Sequence, residues 1–436
     1  MVFGIDLGTT NSLIGSGDKM YSSLVSSNVD VVKKKQVPRD YYSSDVVSSY
    51  KTDMSMGTSG QLALKCSSII LKELAEQAMM RSGQSVRDVV ISVPAYFSSS
   101  QREAVKLAAT EAGLVVRGLL NEPTAAALYV CRDIKDIVVV FDLGGGTFDV
   151  SIVDSRLGNY KVIATDGLVI GGDTLDKIIV EDMLKELHIR IKDQTEACLA
   201  EYKILARAAK ERIQQTGEDT YVGDTTYLLT VPKYKKFVKI AFGDTISTTI
   251  QLIGKNIPAS EQLKFVFVGG STSCPYLRQM VQEEISMEII DCDCKPDMVV
   301  AKGVALYAKL VEEGIANTYI EDVTKRLCIE DDTGMGITIV ESNTIIPCRH
   351  ERCVTNTKRD TKLALRLYQG AATFVQDNDY IGTLIYEYDH EMEAGEGVVQ
   401  VVIEVSVDGV IVLKAYEPIY GEEAAEEIKL YLGDKS

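Results

Sequence analysis

The chain reads FGIDLGTTNS at residues 3–12 and VFDLGGGTFD at residues 140–149. Each stretch is an apolar strand ending in Asp-Leu-Gly and running into glycine or hydroxyl-bearing residues. A strand that ends this way turns tightly, and Gly and Thr leave backbone N–H groups uncovered. Such groups make a nest for phosphate oxygens, with Thr hydroxyls as further donors. An Asp at the strand end suits Mg²⁺ held through water, because that ion keeps much of its hydration shell. On this reading Asp6, Thr9, Thr10 and Asn11 grip a ligand from one side, and Asp142, Gly144, Gly145, Gly146 and Thr147 from the other. The plainer alternative is two tight hairpins whose glycines serve only the turns. Repetition at the ends of two apolar strands favours one ligand held between related segments.

Around these motifs the composition is that of a globular protein. A length of 436 residues suggests two or three domains, and 46% hydrophobic with 25% charged residues is an ordinary globular balance. A net charge of −17 argues against nucleic acid or an anionic membrane as the main partner. No apolar run approaches the ~20 residues that span a bilayer. Asp6 falls where a signal peptide needs its apolar stretch, so a cytoplasmic protein is expected. Nine scattered cysteines read as free thiols of a reducing compartment. Cys292 with Cys294, and Cys348 with Cys353, lack the spacing of a zinc module.

Two regimes divide the chain. Up to residue 312, β-rich runs alternate with helical segments, as in DVVISVPAYF followed by SSSQREAVKLAATEAG, the pattern of α/β layers. From residue 324 to 436 strands follow one another directly, and a VDG step between alternating runs signals a hairpin, so this part reads as all-β. Residues 313–323 form the natural linker.

With these motifs in view, the chain resembles the seventy-kilodalton heat-shock chaperone family, DnaK type, within the actin-like ATPase superfamily. GIDLGTTNS and DLGGGTFDVSI resemble the two phosphate loops of that family, and ISVPAYFSSSQREA and LNEPTAAAL the segments joining its lobes. FVGGSTSCP is similar to its adenosine motif, KPDMVVAKGVALYA to its closing helix, and NTIIPCRH with LRLYQG to its peptide-binding β-sandwich. Several features are closer to its compact HscC-like branch than to the housekeeping form. The resemblance implies a two-lobed actin-like ATPase domain over 1–312, the linker 313–323, and a β-sandwich substrate domain over 324–436 with no helical lid following it. It implies slow hydrolysis of ATP to ADP with Mg²⁺, K⁺ being an optional companion. The implied partners are extended apolar client peptides, a J-domain co-chaperone and a nucleotide-exchange factor, acting on a monomer.

The resemblance also assigns roles. Asp6, Asp142 and Glu122 surround the metal, Lys51 meets the γ-phosphate and the attacking water, and Thr147 lies beside that phosphate. A lysine is suited to this as a compact charge. Its plainer reading is a solvated surface residue. Gly171, Gly172, Gly269, Gly270, Ser271 and Asp297 line the nucleoside side, while Pro94 and Arg102 match a proline switch and its relay arginine. Departures fall at the base: Lys210 is kept, but Arg207 replaces an acidic residue, Glu211 an arginine, Gln214 a serine and Ser273 a stacking arginine. The base is therefore expected to be held less tightly, or differently. Residues 17–50 and 217–262 look like trimmed forms of the two upper subdomains.

In the β domain the resemblance puts Ile329, Val354, Leu363 and Leu365 around a peptide pocket, with Asp332 and Thr357 where an arch would close over it. Ordinary core positions of alternating strands are the competing reading. In the linker, Asn317, Thr318 and Glu321 dilute the apolar surface, leaving Tyr319, Ile320 and Val323, so weak docking on the ATPase part is expected. Two other classes share the phosphate loops, a filament-forming actin-like scaffold and a sugar kinase. Neither accounts for an all-β C-terminal part.

Overall fold

The computed structural model describes residues 1–429 apart from 42, 44, 55–59, 96, 98, 317–319, 325, 343, 371, 407 and 408. The VDG hairpin step and Tyr319 of the linker lie largely outside the described residues.

The two opening motifs build the same local structure. Strand Val2–Leu7 pairs antiparallel with Asn11–Ser16 and parallel with Asp88–Val93. Strand Ile137–Leu143 pairs antiparallel with Phe148–Asp154 and parallel with Leu263–Val268. Asp6 stands opposite Leu13, and Asp142 opposite Asp149, each one residue before its strand ends. Strand Ile137–Leu143 is buried throughout, as a continuous apolar run must be when both sheet faces are covered.

The N-terminal sheet runs in the order Lys19–Met20, Asn11–Ser16, Val2–Leu7, Asp88–Val93, Val115–Asn121. The central sheet runs Glu288–Ile289, Leu263–Val268, Ile137–Leu143, Phe148–Asp154, Tyr160–Leu168, Ile320–Thr324, Thr344–Ile346. Between the sheets lies a shared core, with Val90 from one side, Val138, Val140 and Val266 from the other, and Ala125–Ala127 and Val304 between them. Helices Glu122–Val130 and Val299–Glu312 cross there so closely that a Cβ on Gly303 would stand 1.7 Å from the carbonyl oxygen of Ala125. Only glycine permits that approach.

Helix Glu196–Thr216 begins at Thr195, whose side chain accepts from the Cys198 N–H, and stops at Gly217 with φ +69°. Helix Val231–Asn256 is capped in the same way by Thr230. Apart from Thr344–Ile346, the described strands from Leu327–Glu330 onward form two four-stranded sheets, packed on a core that includes Leu327, Leu365, Leu367, Val401, Ile403 and Leu413.

The stretch expected to be a linker is partly a strand. Ile320–Thr324 pairs parallel with Tyr160–Leu168, through Tyr160–Ile320 and Lys161–Glu321, and antiparallel with Thr344–Ile346. Backbone hydrogen bonding docks it, and a count of apolar side chains does not foresee that.

Candidate functional site

The two motif strands end at one cavity of about 590 Å³, lined from the N-terminal sheet by Asp6 and Gly8–Asn11 and from the central sheet by Asp142, Gly144, Gly145 and Thr147. The two loops touch each other. A Cβ on Gly145 would stand 1.9 Å from Thr10 Oγ1, so the second loop needs glycine there to close on the first. The carbonyl of Gly144 accepts from Gly172 N at 3.1 Å and from Ser271 Oγ at 2.7 Å, and that of Gly145 accepts from Asp173 N at 2.7 Å. With these carbonyls engaged and the Gly144 N–H donating to the Thr147 carbonyl at 2.9 Å, the loop's remaining N–H groups are the donors left for phosphate oxygens. Gly171 and Gly146 do not line the cavity; Gly171 is packed against the Gly145 carbonyl and supports the loop from outside it.

At the cavity floor Lys51, Glu122 and Asp142 are buried together, with the half-buried Asp6 beside them. Lys51, in the short helix Tyr50–Asp53, is ion-paired with Glu122, the first residue of its helix, and both are under 10% exposed. Asp6 Oδ1 accepts from Ser92 Oγ at 2.9 Å. Burial first, then the Glu122 charge, pushes the Asp6 carboxyl up to about 7, with Lys51 and Ser92 opposing. Asp142 is raised well above the usual carboxylate range, again by burial first and then by Glu122, Asp149 and Asp6. Carboxylates crowded out of water in this way suit a divalent cation, which reverses both causes at once.

Among the described residues no three such side chains converge on a point where they would ligate an ion directly. Asp6, Asp142 and Glu122, the expected surroundings of the metal, all line this cavity, an arrangement compatible with the expected ion held through its water. Mg²⁺ tolerates that arrangement because it sheds its hydration reluctantly. Asp297 adds a buried Oδ1 with no hydrogen-bond partner among the described residues. Gly269 has φ +83°, and a Cβ there would collide with the Leu143 carbonyl and with Asp142, so its turn is fitted to this floor.

The opposite end of the cavity is cross-braced by charges. Arg207 donates to Asp173 at 2.7 Å and to Asp176 at 3.0 Å, and Lys210 pairs with Asp176 at 2.5 Å while donating to the Gly172 carbonyl at 3.1 Å. Gln214 Nε2 donates to Tyr234 OH at 2.5 Å. Arg39 reaches Glu211 at 3.1 Å, and Ser49 Oγ donates to Asp173. Lys210 and Gln214, expected to contact the base, line the cavity and also bond to these protein partners. Arg39, Asp173 and Asp176 were missed by sequence reasoning. Asp173 follows the Gly171–Gly172 pair and Asp176 lies one helical turn on, which is a usable signal, whereas nothing in the sequence singles out Arg39.

Pro94 precedes a turn whose Ala95 N–H donates to Asp149 at 3.1 Å. Arg102 donates to Asn121 at 2.6 Å, next to Glu122, and to the Phe97 carbonyl at 3.1 Å. A Cβ on Gly409 would stand 3.1 Å from Arg102 Nε, so Gly409 lies close to this arginine. In the C-terminal part Ile329 and Leu365 are buried in the sandwich core, Val354 and Leu363 are half-buried against it, and Asp332 and Thr357 are exposed. Arg352 donates to the Thr338 carbonyl at 3.0 Å, linking an edge strand of one sheet to the other sheet. Among the described residues no helix is long and apolar enough to cross a membrane.

Comparison with known proteins gives a consistent result. The family described as Hsp70 protein matches residues 28–435. A chaperone protein HscA homolog of Acinetobacter baumannii (strain SDF) is 32% identical over 378 residues, covering 84% of this chain and 60% of the relative. A chaperone protein HscA homolog of Acinetobacter baylyi is 32% identical over 379 residues, again 84% and 60%. A chaperone protein DnaK of Mycoplasma mobile is 28% identical over 456 residues, covering 95% of this chain and 76% of that one. The chain spans about three-fifths of the length of the HscA homologs it matches.

Proposed function

The chain belongs to the Hsp70 family, and from that premise we propose that it is an ATP-dependent molecular chaperone. It binds Mg²⁺–ATP between two actin-like lobes, hydrolyses it slowly, and holds extended apolar peptide in the C-terminal β-sandwich. Client proteins, a J-domain co-chaperone, an exchange factor and a cytoplasmic location belong to the same proposal. The observation that carries it is the set of buried Lys51, Glu122 and Asp142 with half-buried Asp6 beneath two duplicated phosphate-type loops. A filament scaffold or sugar kinase is disfavoured because the family match continues through the β-sandwich to residue 435.

In this mechanism the loop amides and the Thr9, Thr10 and Thr147 hydroxyls hold the phosphates. Mg²⁺, when bound, would supply charge neutralisation at the phosphates, and Asp6, Asp142 and Glu122 would hold it through water. Lys51, kept in place by Glu122, faces the charge that develops as the γ-phosphoryl leaves. Arg102, bonded to Asn121 next to Glu122 and close to Gly409 of the sandwich, would carry the signal from site to peptide domain.

The test is phosphate release from the purified chain as Mg²⁺ is varied, with peptide anisotropy measured alongside. Asp6→Asn should raise the Mg²⁺ concentration for half-maximal turnover by roughly tenfold or more. An unchanged midpoint would remove Asp6 from the metal's surroundings. Arg102→Ala should leave ATP binding intact while shrinking the change in peptide affinity that ATP causes. If that change keeps its full size, the Gly409 contact does not carry the coupling.

A further inference from the structure

The phosphate end of the cavity is announced by motifs, whereas the other end is closed by a guanidinium that none announces. Arg39 follows strand Lys35–Val37 in the N-terminal half, and its Nη1 reaches Glu211 Oε1 at 3.1 Å on helix Glu196–Thr216, across the cavity that both residues line. The Asn28 side chain donates to the Arg39 carbonyl at 3.5 Å, tying its backbone to the neighbouring strand. Its Nε is buried with no hydrogen-bond partner among the described residues, while the side chain as a whole stays 37% exposed.

The other cations there are differently placed. Arg207 is forked onto two carboxylates, and Lys210 is held by Asp176 and the Gly172 carbonyl. Lys295 lines the cavity as well, but an ammonium has no plane to lay against a ring. A guanidinium does, and its attraction to an aromatic face grows as water is excluded.

We propose that Arg39 is the base-facing residue of the cavity, its guanidinium plane lying against the ring of a bound purine nucleotide and its tilt set by Glu211. This rests on the nucleotide reading above. The base is then gripped by a cation from the N-terminal half, so base binding itself draws the two sides of the cavity together. Ser273, where the resemblance implies a stacking arginine, is released from that role, and Glu211, at another arginine position of the clamp, orients Arg39 instead.

Calorimetry on the full chain with ATP and with inorganic tripolyphosphate separates base contacts from phosphate contacts. Arg39→Ala should weaken ATP by roughly three- to thirty-fold, the span a stacked cation contributes, and leave tripolyphosphate within about twofold. Arg39→Lys, which keeps charge and length, should lose most of the same ATP affinity because the plane is gone. Matching thermal melts of both variants and the parent guard against misfolding. Equal weakening of ATP and tripolyphosphate would overturn the proposal, since Arg39 would then only latch the two sides. Unchanged ATP binding in Arg39→Ala, or full recovery in Arg39→Lys, would overturn it too. A parent chain that binds tripolyphosphate but gains nothing from the nucleoside defeats both this inference and the nucleotide reading, whereas the other outcomes leave the latter standing.

Discussion

Replacing Lys51 by Ala is expected to cut ATP turnover on the order of a hundred- to a thousand-fold while ATP still binds. The substitution removes a preorganised charge from a site where Lys51 is 3% exposed and opposed by Glu122. Charge on the γ-phosphoryl grows in the transition state, so the loss falls there, while the loop amides continue to hold the ground state. A second effect comes with it. Glu122 is left buried without its partner, close to Asp6 and Asp142, and breaking a buried pair in this way costs about 3–5 kcal/mol. The nucleotide-free variant should therefore unfold at lower urea concentration, and Mg²⁺–ATP should recover part of the difference by binding only the folded form. Single-turnover kinetics beside a binding isotherm decide the first effect. Proportional losses of affinity and turnover would make Lys51 a binding residue and not one that acts on the transition state.

The largest stability effect is expected at Gly303. An added methyl would meet backbone of the crossing helix, the Ala125 carbonyl at 1.7 Å, and no flexible side chain can yield to it. Gly303→Ala should cost about 3 kcal/mol or more, the upper end of overpacking penalties. It should also impair nucleotide binding, because helix Glu122–Val130 starts with Glu122 and helix Val299–Glu312 follows directly on Asp297. Gly254→Ala is the matched control. It lies on an exposed helical position with nothing within 4 Å, and should stabilise by about 0.5–1 kcal/mol. Urea unfolding of both variants tests the contrast, and similar midpoints would mean that the two helices do not cross as closely as described.

The phosphate end of the site was legible because its requirements are local. The strand-end places of Asp6 and Asp142, and the close approach of Gly145 to Thr10, follow from tight turns that the sequence displays. The alternation of strands and helices, and the change to direct strand succession near residue 324, were legible for the same reason. Lys51 and Glu122 are 71 positions apart, and only resemblance joined them before the structure paired them. The base end was not legible. Lys210 and Gln214 line the cavity, but their pairing with Asp176 and Tyr234 has no local sign in the sequence. Arg39 lies in a shortened region where no pattern marks it. Ile329 and Leu365 illustrate another ambiguity, since alternation along a strand cannot separate a pocket wall from a core.

Strand Ile320–Thr324 has a consequence for the order in which the molecule comes apart. It is held to the central sheet by two residue pairs and to strand Thr344–Ile346 by three, so neither neighbour secures it for long. Local opening of such a short seam takes far less free energy than unfolding the buried strands on either side. Its amide hydrogens should exchange with solvent through a sub-global opening, ahead of those in Ile137–Leu143, and in step with those of Thr344–Ile346. The two halves of the chain would then separate as intact folded bodies before either one melts.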